Sequence, residues 1–430
     1  MPDHRFSSDR AGLNDPYSSQ TPTTIPTPAT PTVESAVDVV VAGSLAIDLS
    51  CDLIPQNGMA ASKQPQLNTS SPAFIRQDLG GVGQNVATAL HLLNTSVRLC
   101  SSVAHDVAGS TAVEILVKQG FQTAGIHRST GKHRTAQYVA INDAQKNLVL
   151  GMADMTILED ITEDFDTLWK SHLDTCKPKW LVVDANWHPL TLHKWLDAAK
   201  AAGAKVAYEP VSVTKAKRLF LKNARDNATL AAVPHHVVNL ATPNAQELAS
   251  MHQAATSAGA FERGDWWSVI DSIGLSSSGS RDKLVSMTNS ALVDLGVPQQ
   301  SIQLSPFVPC MLTTLGEQGV LLTQLLQPGD NRLTSPDSAP YVLSRSTNGS
   351  EVVGGVYMRL FPPVENISRE NIVSVNGVGD TFLGVLIAGL SKQNPKEVAD
   401  LVDIAQSGSI MTLKSREAVS PEVSGLQSLL

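Results

Sequence analysis

The sequence predicts an α/β protein, a doubly wound and mostly parallel sheet flanked by helices, with a small second sheet acting as a lid. Three observations carry this prediction. Short β-branched or apolar runs end in glycine or a polar residue, as strands buried on both faces do. Between them lie segments whose apolar residues recur at helical spacing. Two further stretches break the alternation with a hairpin-like pattern of their own. At 430 residues, with 42% hydrophobic content and mean hydropathy −0.02, the chain can bury one large core or two smaller ones, and no run reads as membrane-spanning. A formal charge of −8 and a pI near 5.8 argue against nucleic acid or an anionic membrane as partner. Cys51, Cys100, Cys176 and Cys310 are scattered and form no C-x-x-C pair, which fits a reducing compartment.

Taken in order, residues 1–36 are rich in Pro, Thr and Ser and are predicted to be a disordered leader. They contain no apolar signal region, and Asp3, Asp9 and Asp15 oppose a transit peptide, so a cytoplasmic location is expected. One folded domain is expected over 37–430. Its strands are predicted at 37–43, 97–103, 180–184, 205–208, 236–240 and 308–314. Val86, Ala89, Leu90 and Leu93, and again Leu192, Trp195, Leu196 and Ala199, fall at i, i+3, i+4, i+7, and each set makes one apolar helix face. Lid strands are predicted within about 49–79 and 134–152, the latter folded at Asn142-Asp143. The stretches at about 252–305 and 327–355 read as peripheral insertions. Trp266-Trp267 is expected to pack, His235-His236 lacks carboxylate spacing for a metal, and Lys215, Lys217, Arg218 and Lys222 read as a solvated helix face.

Five motifs carry chemistry. Gly377-Val378-Gly379-Asp380 opens an apolar helical segment, which places backbone N–H groups and a helix N-terminus against an anion, with a carboxylate beside it to take a hydroxyl proton. A kinase acting on a small alcohol is the first hypothesis. Gly80-Gly81-Val82-Gly83-Gln84-Asn85 precedes another helix; its glycines admit a ligand to the backbone and Asn85 offers an amide, although a tight turn explains it equally. Asp48 follows the first strand, where it either accepts from adjacent sugar hydroxyls or caps a loop. Asn244 and Glu247 form either a plain capping box or a pair that orients waters on Mg²⁺. The run 313–320, with Thr314, Gly316 and Gly319, suits a nucleotide floor or a hairpin turn.

In this order along the chain the motifs together resemble the PfkB carbohydrate kinases, the ribokinase-like family, over residues 37–421. The resemblance implies a ribokinase-like fold with a β-sheet lid over the sugar, and ATP and Mg²⁺ as cofactors. It implies Asp380 as catalytic base and Gly377, Val378 and Gly379 as anion hole. Asp48, Gly80, Gly81 and Asn85 would hold the sugar, Asn244 and Glu247 would organise Mg²⁺ through water, and Thr314, Gly316, Gly319 and Gln406 would line the ATP site. Two departures stand out. Val378 replaces a small residue, which leaves its N–H available, and Ser374-Val375-Asn376 replaces an Asp-Thr-Thr run, which argues against a monovalent-cation site.

The runs 135–140, 151–155, 184–186 and 209–212 are most similar to pseudouridine kinases, with Tyr138 or Asn186 as candidate base readers. That similarity implies phosphorylation of a nucleoside 5′-hydroxyl and a pseudouridine-5′-phosphate glycosidase as partner, the chain being a monomer or a homodimer through the lid. Alternatives are a kinase for ribose, adenosine or fructose, and a non-catalytic binding protein on this fold. A dehydrogenase is disfavoured because 80–83 lacks the spacing of a dinucleotide fingerprint.

Overall fold

The computed structural model describes residues 36–54, 64–146, 148–159, 164–221, 230–275 and 280–430. The predicted leader up to Ser35, the 55–63 part of the lid segment, residues 276–279 and Lys222 lie outside the described residues.

Ten strands form the main sheet. They are β1 (Val39–Ala42), β4 (Val97–Ala104), β5 (Ile126–Ser129), β8 (Trp180–Asp184), β9 (Lys205–Glu209), β10 (Val238–Ala241), β11 (Cys310–Thr314), β12 (Val320–Leu326), β13 (Val342–Arg345) and β14 (Gly355–Phe361), in the order β13-β14-β12-β11-β10-β9-β8-β1-β4-β5. From β5 to β11 every pairing is parallel; β12, β14 and β13 add an antiparallel edge. All four residues of β1 are buried, as its β-branched run requires of a strand covered on both faces. Chain direction across the sheet reverses at β1, whose neighbours are β4 on one side and β8 on the other. The carboxyl ends of β1 and β8 therefore flank the crevice where open α/β sheets bind ligands.

Each face of the sheet has its own core. On one, helices Val82–Leu92, Val378–Leu390 and Val398–Leu413 bury Val86, Leu90, Leu383, Leu386 and Leu401. On the other, the helix Pro189–Ala202 buries Leu192, Trp195, Leu196 and Ala199, the apolar face its spacing predicts. Trp195 meets Trp169 and Trp187, and each such ring or leucine contributes about 1.5–3 kcal/mol when fully buried. The 252–305 stretch, expected at the periphery, forms helices that drive Trp266, Val269, Leu284, Leu292 and Ile302 into this second core. The 327–355 stretch, likewise expected at the periphery, includes β13 at the sheet edge.

The remaining strands make a separate sheet. β2 (Ala46–Leu53), β3 (Ala73–Gly80), β6 (Ala136–Asn142) and β7 (Leu148–Asp154) lie in the order β3-β2-β6-β7. Asp48 stands opposite Asp78 of β3 and Tyr138 of β6, and Ser50 stands opposite Arg76. Because side chains alternate along a strand, these polar groups share one face. Leu49, Ile75, Val139, Leu150 and Met152 share the other.

Candidate active site

The helix Val378–Leu390 begins at a turn that only glycine can make. Gly377 has φ 72°, and a β-carbon there would lie 1.8 Å from the carbonyl oxygen of Ala418. The first N–H groups of the helix have no partner within it, so the turn presents donors and the positive end of the helix dipole. A β-carbon on the exposed Gly379 would meet no atom within 4 Å, so this end opens onto free space. The Val378 carbonyl accepts from Ser409 Oγ at 3.0 Å, which ties the turn to the helix Val398–Leu413.

Asp380 follows in the first helical turn and is buried. Asn85 Nδ2 donates to its Oδ2 at 2.8 Å, joining two glycine motifs that lie almost 300 residues apart. Burial is the main cause that pushes the Asp380 carboxyl up to about 7; Asp184, Asp48 and Glu247 push the same way, and the Asn85 bond opposes them. Asn85 Oδ1 is itself buried without a hydrogen-bond partner. An unmade bond of this kind costs about 1–3 kcal/mol, so what the pocket lacks at this point is a donor.

Asp48 closes the pocket from the lid side. Its carboxylate lies across Gly80, where a β-carbon would come within 2.2 Å of Oδ2, so glycine is required beside it. Burial and then the facing Asp78 push Asp48 up to about 6. Tyr138 is raised by burial and by Asp48. Gly81, with φ 97°, caps the helix that carries Asn85.

Asp184, at the carboxyl end of β8, underlies this group. It accepts from Ser44 N at 2.7 Å, Ser44 Oγ at 3.1 Å and Asn186 N at 2.9 Å, tying β8 to the turn after β1. Asn186, expected to offer its amide to a base, is engaged at both ends: Nδ2 donates to Ser44 Oγ at 3.0 Å and Oδ1 accepts from Lys215 Nζ at 2.7 Å. Lys215 and Arg218 are not the solvated face expected of them. Arg218 Nη1 donates to the carbonyls of Ala185, Asn186 and Trp187, both cations pair with Glu159, and their side chains are only 17% and 16% exposed.

On the other flank, Asn244 and Glu247 form a complete capping box; Asn244 Oδ1 accepts from the Glu247 N–H and Glu247 Oε2 from the Asn244 N–H, each at 2.9 Å. Burial raises Glu247. Its neighbour Glu209 is held well above the usual carboxylate range, first by burial and then by Glu247 and Asp380, and accepts from Thr242 Oγ1 at 2.6 Å. Thr314 bridges to Asn244, and its N–H donates to Pro243 O at 2.9 Å. Gly316 and Gly319 form the β11–β12 hairpin, the second of the two readings of that motif. Gly319 lies against Phe361 and Pro362, and Gln406 Nε2 donates to Pro362 O at 3.1 Å, so these two predicted nucleotide contacts meet. No group of three or more His, Cys, Asp or Glu side chains among the described residues is arranged to hold a metal directly.

Sequence reasoning passed over Asp184 and Glu209 as site carboxylates, although both end buried strands.

This fold defines a ribokinase-like α/β protein, in which the first turn of the helix Val378–Leu390 carries a buried carboxylate and the smaller sheet has one polar face. Residues 38–268 match the pfkB family carbohydrate kinases, and the chain belongs to that family. It is 29% identical over 404 residues to a pseudouridine-metabolizing bifunctional protein of Schizosaccharomyces pombe, covering 92% of this chain and 48% of that one. It is 28% identical over 179 residues to the pseudouridine kinase of Escherichia coli, covering 41% of this chain and 52% of the other. The chain thus spans about half the length of these curated relatives. Among solved structures it shares its fold with a Cryptococcus neoformans ribokinase in complex with ADP (TM-score 0.56, 15% identity, 91% of this chain and 99% of that one). A Burkholderia thailandensis nucleoside kinase in complex with inosine gives TM-score 0.51 at 13% identity, over 91% and 96% of the two chains.

Proposed function

We propose that the chain transfers the terminal phosphoryl group of ATP to the 5′-hydroxyl of pseudouridine. The observation that carries the transfer is the 2.8 Å bond between Asn85 and Asp380 at the mouth of the Gly377 turn. It sets a base, a hydroxyl-binding amide and an anion site side by side. The Asp380 carboxylate takes the hydroxyl proton as the alcohol oxygen attacks the γ-phosphorus in line; the bond to the β–γ bridging oxygen breaks and its electrons leave with ADP. N–H groups of the Gly377-Val378-Gly379 turn receive the charge on the transferring oxygens, and because they are fixed beforehand they reorganise little as it develops.

Asp48 accepts from ribose hydroxyls, with Gly80 and Gly81 letting the sugar approach, and a further hydroxyl satisfies Asn85 Oδ1. Tyr138, on the polar lid face, is the better-placed base reader of the two candidates, since Asn186 must first release Lys215 or Ser44. Asn244, Thr314, Gly316, Gly319 and Gln406 line the nucleotide. Glu247 would hold Mg²⁺ through water, and the ion would supply charge neutralisation for the phosphates. Ser374-Val375-Asn376 provides no carboxylate for a monovalent cation.

Pseudouridine as acceptor is supported by the similarity to the two relatives named for it, from fission yeast and Escherichia coli. The bifunctional character of the yeast protein also motivates a pseudouridine-5′-phosphate glycosidase as partner. We further assign the protein to the cytoplasm and expect it to pair through its lid. ADP release with Mg-ATP and pseudouridine, uridine, adenosine, ribose or fructose tests the function. The expected result is the highest kcat/KM for pseudouridine. Preference for ribose would overturn the substrate, and release with none of the five would overturn the transfer.

A further inference from the structure

The lid touches the body through a side chain that the proposed reaction does not use. Arg76, on β3, lies on the same face as Asp48 and Asp78. Its Nε pairs with Asp78 Oδ2, and its Nη2 donates to the carbonyl oxygen of Arg416 at 2.8 Å, a contact between residues 340 apart in sequence. Arg416 belongs to the turn after the helix Val398–Leu413, and two residues on, Ala418 packs its carbonyl against Gly377. One guanidinium therefore links the inner face of the lid to the segment that backs the anion hole.

The same group acts on charge. Asp48 and Asp78 are cross-strand partners, and two carboxylates directly opposite each other repel. Arg76, paired with Asp78, sets a cation beside one of these two carboxylates. The charged or titratable groups around Asp48 are Asp78 and Arg76 from β3, Tyr138 from β6 and Asp380 from the helix Val378–Leu390. Among these described residues Arg76 is the cation.

We propose that Arg76 is a positioning residue, which latches the lid to the 414–420 turn and, by neutralising Asp78, keeps Asp48 ionised for the acceptor. This rests on the reading of Asp48 as the group that accepts from the acceptor's hydroxyls. Substituting Arg76→Ala is expected to raise KM for the acceptor about tenfold at pH 7 with a smaller change in kcat. It should also move the lower of the two breaks in the acid limb of kcat/KM, the one set by Asp48 below the Asp380 step, upward by about half a pH unit or more. Arg76→Lys, which keeps a cation beside Asp78, should hold the limb in place, and Arg76→Ala with Asp78→Asn should bring it back to the wild-type position. A purely structural role would not produce that return.

Backbone amide exchange of the ligand-free protein over 73–80 and 414–420 reads the latch without any turnover, and should accelerate about fivefold or more in Arg76→Ala. Unchanged exchange overturns the inference, as does an active Arg76→Ala enzyme whose KM and acid limb match the wild type. A wild-type chain inert toward every acceptor would instead remove the proposed function, while accelerated exchange in the variant would still support the latch.

Discussion

Asp380 has to satisfy two opposing demands. Burial among Asp184, Asp48 and Glu247 lifts its carboxyl to about 7, so near neutrality it exchanges protons readily, as a general base should. In the proposed reaction only the ionised form takes the hydroxyl proton, so kcat/KM should rise with pH and level off above about 7, a limb read directly from a pH profile. Stability runs the other way. A folded-state value raised above the unfolded one, about 3.9, contributes stability that is fully present below the unfolded value and is lost as pH rises through 7. Asp380→Asn removes both the base and the buried charge. It should lower kcat by about 10²–10⁴-fold with nucleotide affinity nearly unchanged by calorimetry. It should also raise Tm above wild type at pH 8, the gap closing toward pH 5. Normal turnover, or a lower Tm at pH 8, would show that this carboxylate has another task.

At the scale of elements, the site depends on two glycine turns, each fitted to a neighbour far away in sequence. At Gly377 a side chain would both strain a left-handed residue and strike the Ala418 carbonyl, so Gly377→Ala should cost at least about 1–3 kcal/mol in chemical denaturation. Gly80→Ala acts more locally, since its methyl would displace the Asp48 carboxylate; KM for the acceptor should rise while Tm moves little. These turns were legible because glycine spacing and the helix that follows are local signals. So were β1 and β8, whose apolar runs are buried on both faces, and the lid hairpin at Asn142-Asp143. β14 was not anticipated, and β12 only as the far arm of a hairpin: the two pair antiparallel across nearly thirty intervening residues, and a run such as 320–326 has no periodicity that separates strand from helix. Lys215 and Arg218 misled for a related reason. Their spacing matches a solvated helix face, yet the fold turns Arg218 onto the 185–187 carbonyls and Lys215 onto the Asn186 side chain, long-range contacts that no local pattern encodes.

For the whole molecule, the lid is a thin sheet with opposite chemistry on its two sides. One side bears Asp48, Asp78, Arg76 and Tyr138; the other bears Ile75, Leu150 and Met152, which are 62%, 49% and 51% exposed. β3 and β7 also end the sheet as edge strands, which present unpaired backbone groups unless something covers them. Burying each large apolar side chain is worth up to about 1.5–3 kcal/mol, and pairing two lids would cover the apolar sides together without obstructing the polar sides that face the site. A homodimer through the lid, as proposed above, would remove this exposure. Sedimentation of the wild type should show reversible dimerisation in the micromolar range. Ile75→Lys combined with Met152→Glu, both on the outer side, should yield a monomer whose fold is intact by circular dichroism. Because a lid without its partner loses a supporting surface, KM for the acceptor should rise in that monomer more than kcat falls. A wild type that stays monomeric at these concentrations while turning over at full rate would mean that the apolar side serves another purpose.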